Sequence, residues 1–270
     1  MSGQPVSEEA IADFERDGFV VVPDLLRFEE LDQLAPHVDA AVAARQSGDH
    51  RGLDQKSRYE QSFIQCINLW EDWPDVRPLT FHPVVAAAAA ALLRADVVRI
   101  WHDQALFKEA GGRPTDAHQD QPYWPIAEPR TVTAWIPLDG ATLQTGCLGY
   151  LPGSHRAGLR KYVNIFDGQP EDLLADPALV GSEPEFREVG RGGVAFHHGL
   201  TAHCAGANRS AQTRRIHTVI YFADGCTRGT DLGHFAVDRP GIAVGAVIDS
   251  DLTPVAHPRP PGDLPTPPPF

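Results

Sequence analysis

Long apolar runs are missing from this 270-residue chain: the longest, Val84 to Leu93, holds ten residues, against the roughly 18–20 that a helix needs to cross a bilayer. A membrane-spanning role is excluded on that reading. Cysteine is scarce too. Cys66, Cys147, Cys204 and Cys226 lie far apart with no CxxC pair, which suits reduced thiols rather than a disulfide framework or a zinc knuckle. Positive charge is in deficit, 23 Lys and Arg against 36 Asp and Glu for a formal net charge of −13, so phosphate backbones and anionic lipid surfaces are repelled. The first ten residues lack the basic and apolar regions of a secretory signal. These absences together predict a cytoplasmic protein with no nucleic-acid or membrane partner, acting on a small molecule.

What is present predicts two parts. Ser7 caps a helix with Glu8 and Glu9 in its first turn, and Gly18 stands where it stops; Phe19–Val22 follows as a strand. A helix from about Phe28 to Gln46 carries Leu31, Leu34, Val38 and Val42 on one stripe, with Pro36 placed to kink or split it. Val84–Arg94 reads as a buried alanine-rich helix behind Pro83. From Val97 onward the pattern turns to short β-rich runs: 97–101, 105–108, 131–138, 147–151, 193–197 and 214–222. That order predicts a sandwich or barrel braced by helices, forming one domain over residues 1–250. Residues 251–270 hold eight prolines and read as an extended tail.

His118-Gln-Asp120 places an imidazole and a carboxylate two residues apart, on one face of an extended chain. A third ligand is required, and His155, His197, His198, His203 and His217 are all eligible. His197 and His198 are adjacent on a strand, so at most one faces the barrel interior. Two histidines and a carboxylate leave three positions of an octahedral ion open, which suits Fe(II) that must bind a chelating cosubstrate and O₂ together. A carboxylate-bearing cosubstrate such as 2-oxoglutarate also needs a cation inside the barrel, preferably Arg; Arg214 and Arg215 open the last strong strand. Lys108 shares a strand face with Gln104, where it either helps hold a carboxylate or stays in solvent.

Five blocks resemble the phytanoyl-CoA dioxygenase family of Fe(II)/2-oxoglutarate oxygenases. They are His118-Gln-Asp-Gln-Pro-Tyr-Trp124, Thr133-Ala-Trp-Ile-Pro-Leu-Asp139, Gly146-Cys-Leu-Gly-Tyr-Leu-Pro-Gly-Ser-His-Arg156, Phe196-His-His-Gly-Leu-Thr-Ala-His203, and Asn208-Arg-Ser210 followed by Arg214-Arg215. The opening Phe14-Glu-Arg-Asp-Gly-Phe-Val-Val-Val-Pro23 is also typical of it. The resemblance implies a double-stranded β-helix, a cupin-type jelly-roll, with bracing N-terminal helices. It implies His118, Asp120 and His203 as iron ligands, Arg214 as the anchor of 2-oxoglutarate, and Trp135, Gln104 and Gln119 around that cosubstrate. Fe(II), 2-oxoglutarate and O₂ follow, with ascorbate as a stimulant and hydroxylation as the outcome, since halogenating relatives replace the carboxylate of the HxD pair. One departure is Ala205, where relatives usually carry a hydroxyl residue. The rival reading is a non-oxidative metal protein on the same barrel, either a zinc-dependent hydrolase or a metal-binding pseudoenzyme.

Overall fold

The computed structural model describes residues 5–165, 173–260, 262 and 264–268. In chain order the elements are α1 (Glu8–Asp17), β1 (Phe19–Val22), α2 (Phe28–Arg45), β2 (Ile64–Ile67), α3 (Leu69–Asp72), α4 (Arg77–Thr80), α5 (Pro83–Leu92), β3 (Val98–Lys108), β4 (Thr115–His118), β5 (Thr131–Pro137), β6 (Leu148–Tyr150), β7 (Glu185–Arg187), β8 (Val194–His198), β9 (His203–Ala205), β10 (Arg214–Ala223), α6 (Phe235–Asp238) and β11 (Val255–His257). Two antiparallel sheets face each other. The larger runs β1-β8-β5-β10-β3-β11 with β2 also on β3, and the smaller runs β4-β9-β6-β7. This is the double-stranded β-helix, with helices packed on the outer face of the larger sheet.

Local chemistry accounts for the bracing helices. The Ser7 hydroxyl accepts the Ala10 N–H at 3.1 Å, and Gly18 ends α1 with φ +82°, a conformation that costs a side-chain-bearing residue energy. Contrary to the expected break, α2 runs unbroken through Pro36 and buries Leu31, Ala35, Val38 and Val42. Tertiary packing of that stripe outweighs the local cost of the proline. α5 begins at Pro83 and buries Val85, Ala86, Ala88, Ala89 and Leu92, its small side chains packing on the sheet.

Alternation along the strands sorts side chains between the two sides of the larger sheet. Val132, Ala134 and Ile136 of β5 and Val219 and Tyr221 of β10 join the helices in one core cluster, while Trp135 and Ile216 pack inside with Tyr150 of the smaller sheet. A bulge in the β3–β10 ladder pairs Ile220 with His102 and Tyr221 with Ile100, so Trp101 has no partner across it and the local alternation is broken. Within the proline-rich segment, residues 255–257 form a strand of the larger sheet. Val255 and His257 pair with Arg99 and Val98, Pro254 supplies a carbonyl to the Ile100 N–H, and Ala256 is buried. An edge position tolerates proline because only one side of the strand needs donors.

Asp103 and His217 lie on the helix side, both fully buried. The Asp103 carboxyl accepts the Trp70 N–H at 3.1 Å and the Thr80 hydroxyl at 2.7 Å, and Thr80 Oγ1 is 3.0 Å from His217 Nε2. Burial raises the Asp103 pKa to about 7 and lowers that of His217 to about 3. Native Asp103 keeps, between about pH 4 and 7, a proton that the unfolded chain releases, so its contribution to stability is lost as pH rises to 7. For His217 the unfolded chain binds a proton below about pH 6.5 that the native state refuses, so its contribution grows over the same window. The two slopes oppose each other. Asp103→Asn removes only the first, so the variant gains stability relative to wild type by roughly 2–4 kcal/mol between pH 4 and pH 7. Urea unfolding at several pH values measures this, and parallel pH profiles for the two proteins would contradict it.

Candidate active site

β4 and β9 are neighbours in the smaller sheet, with His118 directly opposite His203. The His118 Nδ1 lies 2.9 Å from the Asp116 carbonyl and the His203 Nδ1 lies 3.0 Å from the Thr201 carbonyl. Each ring therefore donates its Nδ1 proton to the backbone and keeps a lone pair on Nε2. Asp120 does not sit on the strand. Its φ −78° and ψ −39° open a short 3₁₀ turn over Gln121–Tyr123, so this turn, rather than an extended two-residue repeat, brings its carboxylate back beside the imidazoles.

Asp120 Oδ1 is 3.7 Å from the Nε2 of both His118 and His203, and the three donor atoms lie within 4.8 Å of one another. Ligand bonds of about 2.0–2.2 Å to one shared ion bridge such a gap. Burial pushes both imidazole pKa values down to about 4. It also works to raise the Asp120 carboxyl, but His203, His197 and His118 outweigh it and hold the group below the usual carboxylate range. Deprotonated donors of this kind are what a transition metal requires.

The second oxygen of Asp120 is already engaged. Oδ2 accepts the Thr133 hydroxyl at 2.8 Å and lies 3.1 Å from His197 Nε2, which leaves Oδ1 turned to the imidazoles. A supporting rather than ligating role for His197 is in line with its sequence reading; Thr133 was not singled out, although it shares the inward face of β5 with Trp135. Thr133→Val keeps the shape and removes one donor, so Fe(II) affinity falls about 10–100-fold with an unchanged melting temperature. Chelator competition tests this, and unchanged affinity would contradict it. The other histidines stand elsewhere: His155 beside the Glu15 carbonyl, His198 accepting the Leu200 N–H, and His217 in the helix-side network.

A cavity of about 660 Å³ between the sheets reaches from this triad to Arg214, with Trp135 and Gln104 in its wall. Arg214 is buried, stands 5.3 Å over the Trp135 ring, and donates from Nη1 to the Gly146 carbonyl. Gly146 has φ +84°, and a Cβ there would lie 2.4 Å from the Gly206 carbonyl oxygen, so this anchor requires glycine. Among the described residues the Arg214 Nε has no partner and no ion pair includes Arg214. Burial lowers its pKa only to about 10, so it is a permanent, uncompensated cation. Arg215 faces the other way and pairs with Asp139 at 2.5 Å and with Asp39 of α2.

Lys108 is the cross-strand partner of Arg214 and is buried rather than solvated. Its amine donates to the Arg113 carbonyl and lies 3.4 Å from Thr115 Oγ1. Burial, reinforced by Arg214, pushes its pKa down to about 6, which leaves Arg214 as the charge at this end. Gln119 needs a correction: its amide donates to the Gly158 and Leu200 carbonyls and accepts the Arg160 N–H. With both amide protons spent on backbone carbonyls, this side chain has no donor left for a cosubstrate carboxylate.

Residues 14–216 match the family description phytanoyl-CoA dioxygenase (PhyH). The chain belongs to the phytanoyl-CoA dioxygenase family. Among its relatives, mouse phytanoyl-CoA dioxygenase domain-containing protein 1 is 31% identical over 158 residues, which are 54% of this chain and 52% of the mouse protein. A probable alpha-ketoglutarate-dependent hypophosphite dioxygenase of Stutzerimonas stutzeri is 30% identical over 47% of this chain and 46% of that protein. The matched region thus spans about half the length of these curated relatives. Among solved structures, the non-heme alpha-ketoglutarate-dependent carbocyclase SnoK from nogalamycin biosynthesis is 26% identical, with a TM-score of 0.75 over 93% of this chain and 96% of that one.

Proposed function

We propose that this member of the phytanoyl-CoA dioxygenase family is a 2-oxoglutarate-dependent non-haem iron dioxygenase that hydroxylates, or otherwise oxidises, a small molecule with release of succinate and CO₂. One observation carries the reading: a three-donor cluster and an unpaired buried arginine face the same cavity. His118, Asp120 and His203 hold Fe(II), which supplies activation of O₂ at the expense of 2-oxoglutarate. The residues present fit both groups, because the triad offers proton-free donors and Arg214 has no carboxylate of its own. A buried guanidinium without a counter-charge is costly, and the distal carboxylate of 2-oxoglutarate completes it with paired hydrogen bonds. Thr115 faces Ala205 across the β4–β9 ladder and lines the cavity, so it replaces the hydroxyl that position 205 lacks.

A zinc-dependent hydrolase would have no use for Arg214, which argues against that alternative. Among the described residues no helix is long and apolar enough to cross a membrane. We place the protein in the cytoplasm, where its four free thiols stay reduced; ascorbate serves to maintain Fe(II). Anaerobic addition of 2-oxoglutarate to the Fe(II) protein tests the site. The expected result is a visible metal-to-ligand charge-transfer band that saturates at one equivalent; its absence from iron-loaded protein would overturn the proposal.

A further inference from the structure

The end of the cavity away from Arg214 has its own chemistry. Among the described lining residues the only formally charged side chains are Asp120 and Arg214, and the proposed function commits both. Aromatic side chains make up much of the remaining wall, among them Tyr59, Phe63, Tyr123, Trp124, Tyr162 and Phe235. A phosphate, a coenzyme A chain or a zwitterion would have to shed water here without meeting a counter-charge, which disfavours its binding. A flat apolar molecule meets ring faces instead.

Two imidazoles interrupt this wall. The bulge at Trp101 lets both Trp101 and His102 reach His234, which stacks on Trp101 at 4.4 Å and stands 5.7 Å from His102. Backbone groups assign their tautomers. His234 Nδ1 accepts the Ala236 N–H at 3.3 Å, so its proton is on Nε2. His102 Nδ1 is 3.3 Å from the Asp103 carbonyl, so that nitrogen holds the proton and Nε2 offers a lone pair. Burial lowers the pKa to about 4 for His102 and about 3 for His234, so both are neutral at pH 7. No hydrogen bond among the described residues engages either Nε2. The pair therefore presents one donor and one acceptor, the complement of a hydroxyl group, which both accepts and donates.

Resting on the proposed function, we propose that the substrate is an uncharged aromatic compound carrying a hydroxyl group, stacked against the aromatic wall and oriented by His102 and His234. These two are specificity residues. A site built to hydrogen-bond a hydroxyl discriminates against the analogue without one, because its polar groups are then buried unpaired.

Equilibrium dialysis of 2-naphthol, naphthalene and 2-naphthalenesulfonate against the anaerobic Fe(II) protein saturated with 2-oxoglutarate tests this. The charge-transfer band of the same sample reports separately whether the iron and 2-oxoglutarate sites are sound. 2-Naphthol should bind at least about tenfold more tightly than naphthalene, and the sulfonate more weakly than either. His102→Phe should bring the ratio of naphthol to naphthalene affinity close to one while naphthalene binding and the band persist. His234→Phe, which keeps an aromatic ring against Trp101, should do the same. Preference for the sulfonate, a ratio unchanged in both variants, or no binding of any probe while the band forms would overturn the proposal.

Discussion

Replacing Arg214 with alanine raises the dissociation constant of 2-oxoglutarate by about 30-fold to several thousandfold, equivalent to roughly 2–5 kcal/mol, while iron content changes little. The size follows from the surroundings. Arg214 is buried over Trp135 and, among the described residues, donates to the Gly146 carbonyl alone, so the variant leaves the distal carboxylate of the cosubstrate desolvated without a cation. Lys108 is no substitute, because its pKa of about 6 leaves it largely neutral. Arg215→Ala is the control. That side chain pairs with Asp139 and Asp39 on the helix side, so its loss touches partly exposed pairs worth about 1 kcal/mol or less of stability and leaves 2-oxoglutarate affinity near wild type. Calorimetric titration of both variants measures the contrast, and equal affinities for wild type and Arg214→Ala would refute the anchor.

His203→Ala is expected to abolish stable iron binding, with affinity reduced by more than the 10–100-fold expected when a residue supporting a metal ligand is removed, and turnover lost with it. Two donors from β4 and the turn after it remain, and they no longer surround an ion. The fold should persist, because the His203 ring touches the backbone only through the Thr201 carbonyl and borders a cavity. Iron content after gel filtration, paired with a thermal melt, checks this. Full iron stoichiometry in a folded His203→Ala protein would move the third ligand elsewhere, with His197, 3.1 Å from Asp120, the first to consider.

The parts legible from sequence were those set by local rules. Ser7 and Gly18 bound α1, Pro83 starts α5, and alternation marks β5 and β10 well enough to send Arg214 and Arg215 to opposite faces. What escaped depends on partners distant in the chain. β4 and β9 are four and three residues long, too short for periodicity to register, yet their pairing sets His118 against His203 across a separation of 203 − 118 = 85 residues. The HxD spacing pointed to a pair that the structure does bring together, but for an incomplete reason, since Asp120 reaches the imidazoles by leaving the strand. Gln119 sits between two ligands in sequence but turns to the Gly158 and Leu200 carbonyls, a choice made by the loop it meets. The bulge at Trp101, the capture of 255–257 as an edge strand, and the approach of His234 to His102 likewise have no local signature. Resemblance to a family supplied the choice of His203 among five histidines, which spacing had left open.

The central claim is that the triad and Arg214 together couple O₂ to the oxidative decarboxylation of 2-oxoglutarate. Incubation of the Fe(II) protein with 2-oxoglutarate under ¹⁸O₂, followed by mass spectrometry of the succinate, tests it most directly. The account predicts succinate carrying one ¹⁸O atom, formed only with iron present and lost in His203→Ala. Unlabelled succinate, or none from iron-loaded wild-type protein in which the 2-oxoglutarate complex has formed, would contradict it.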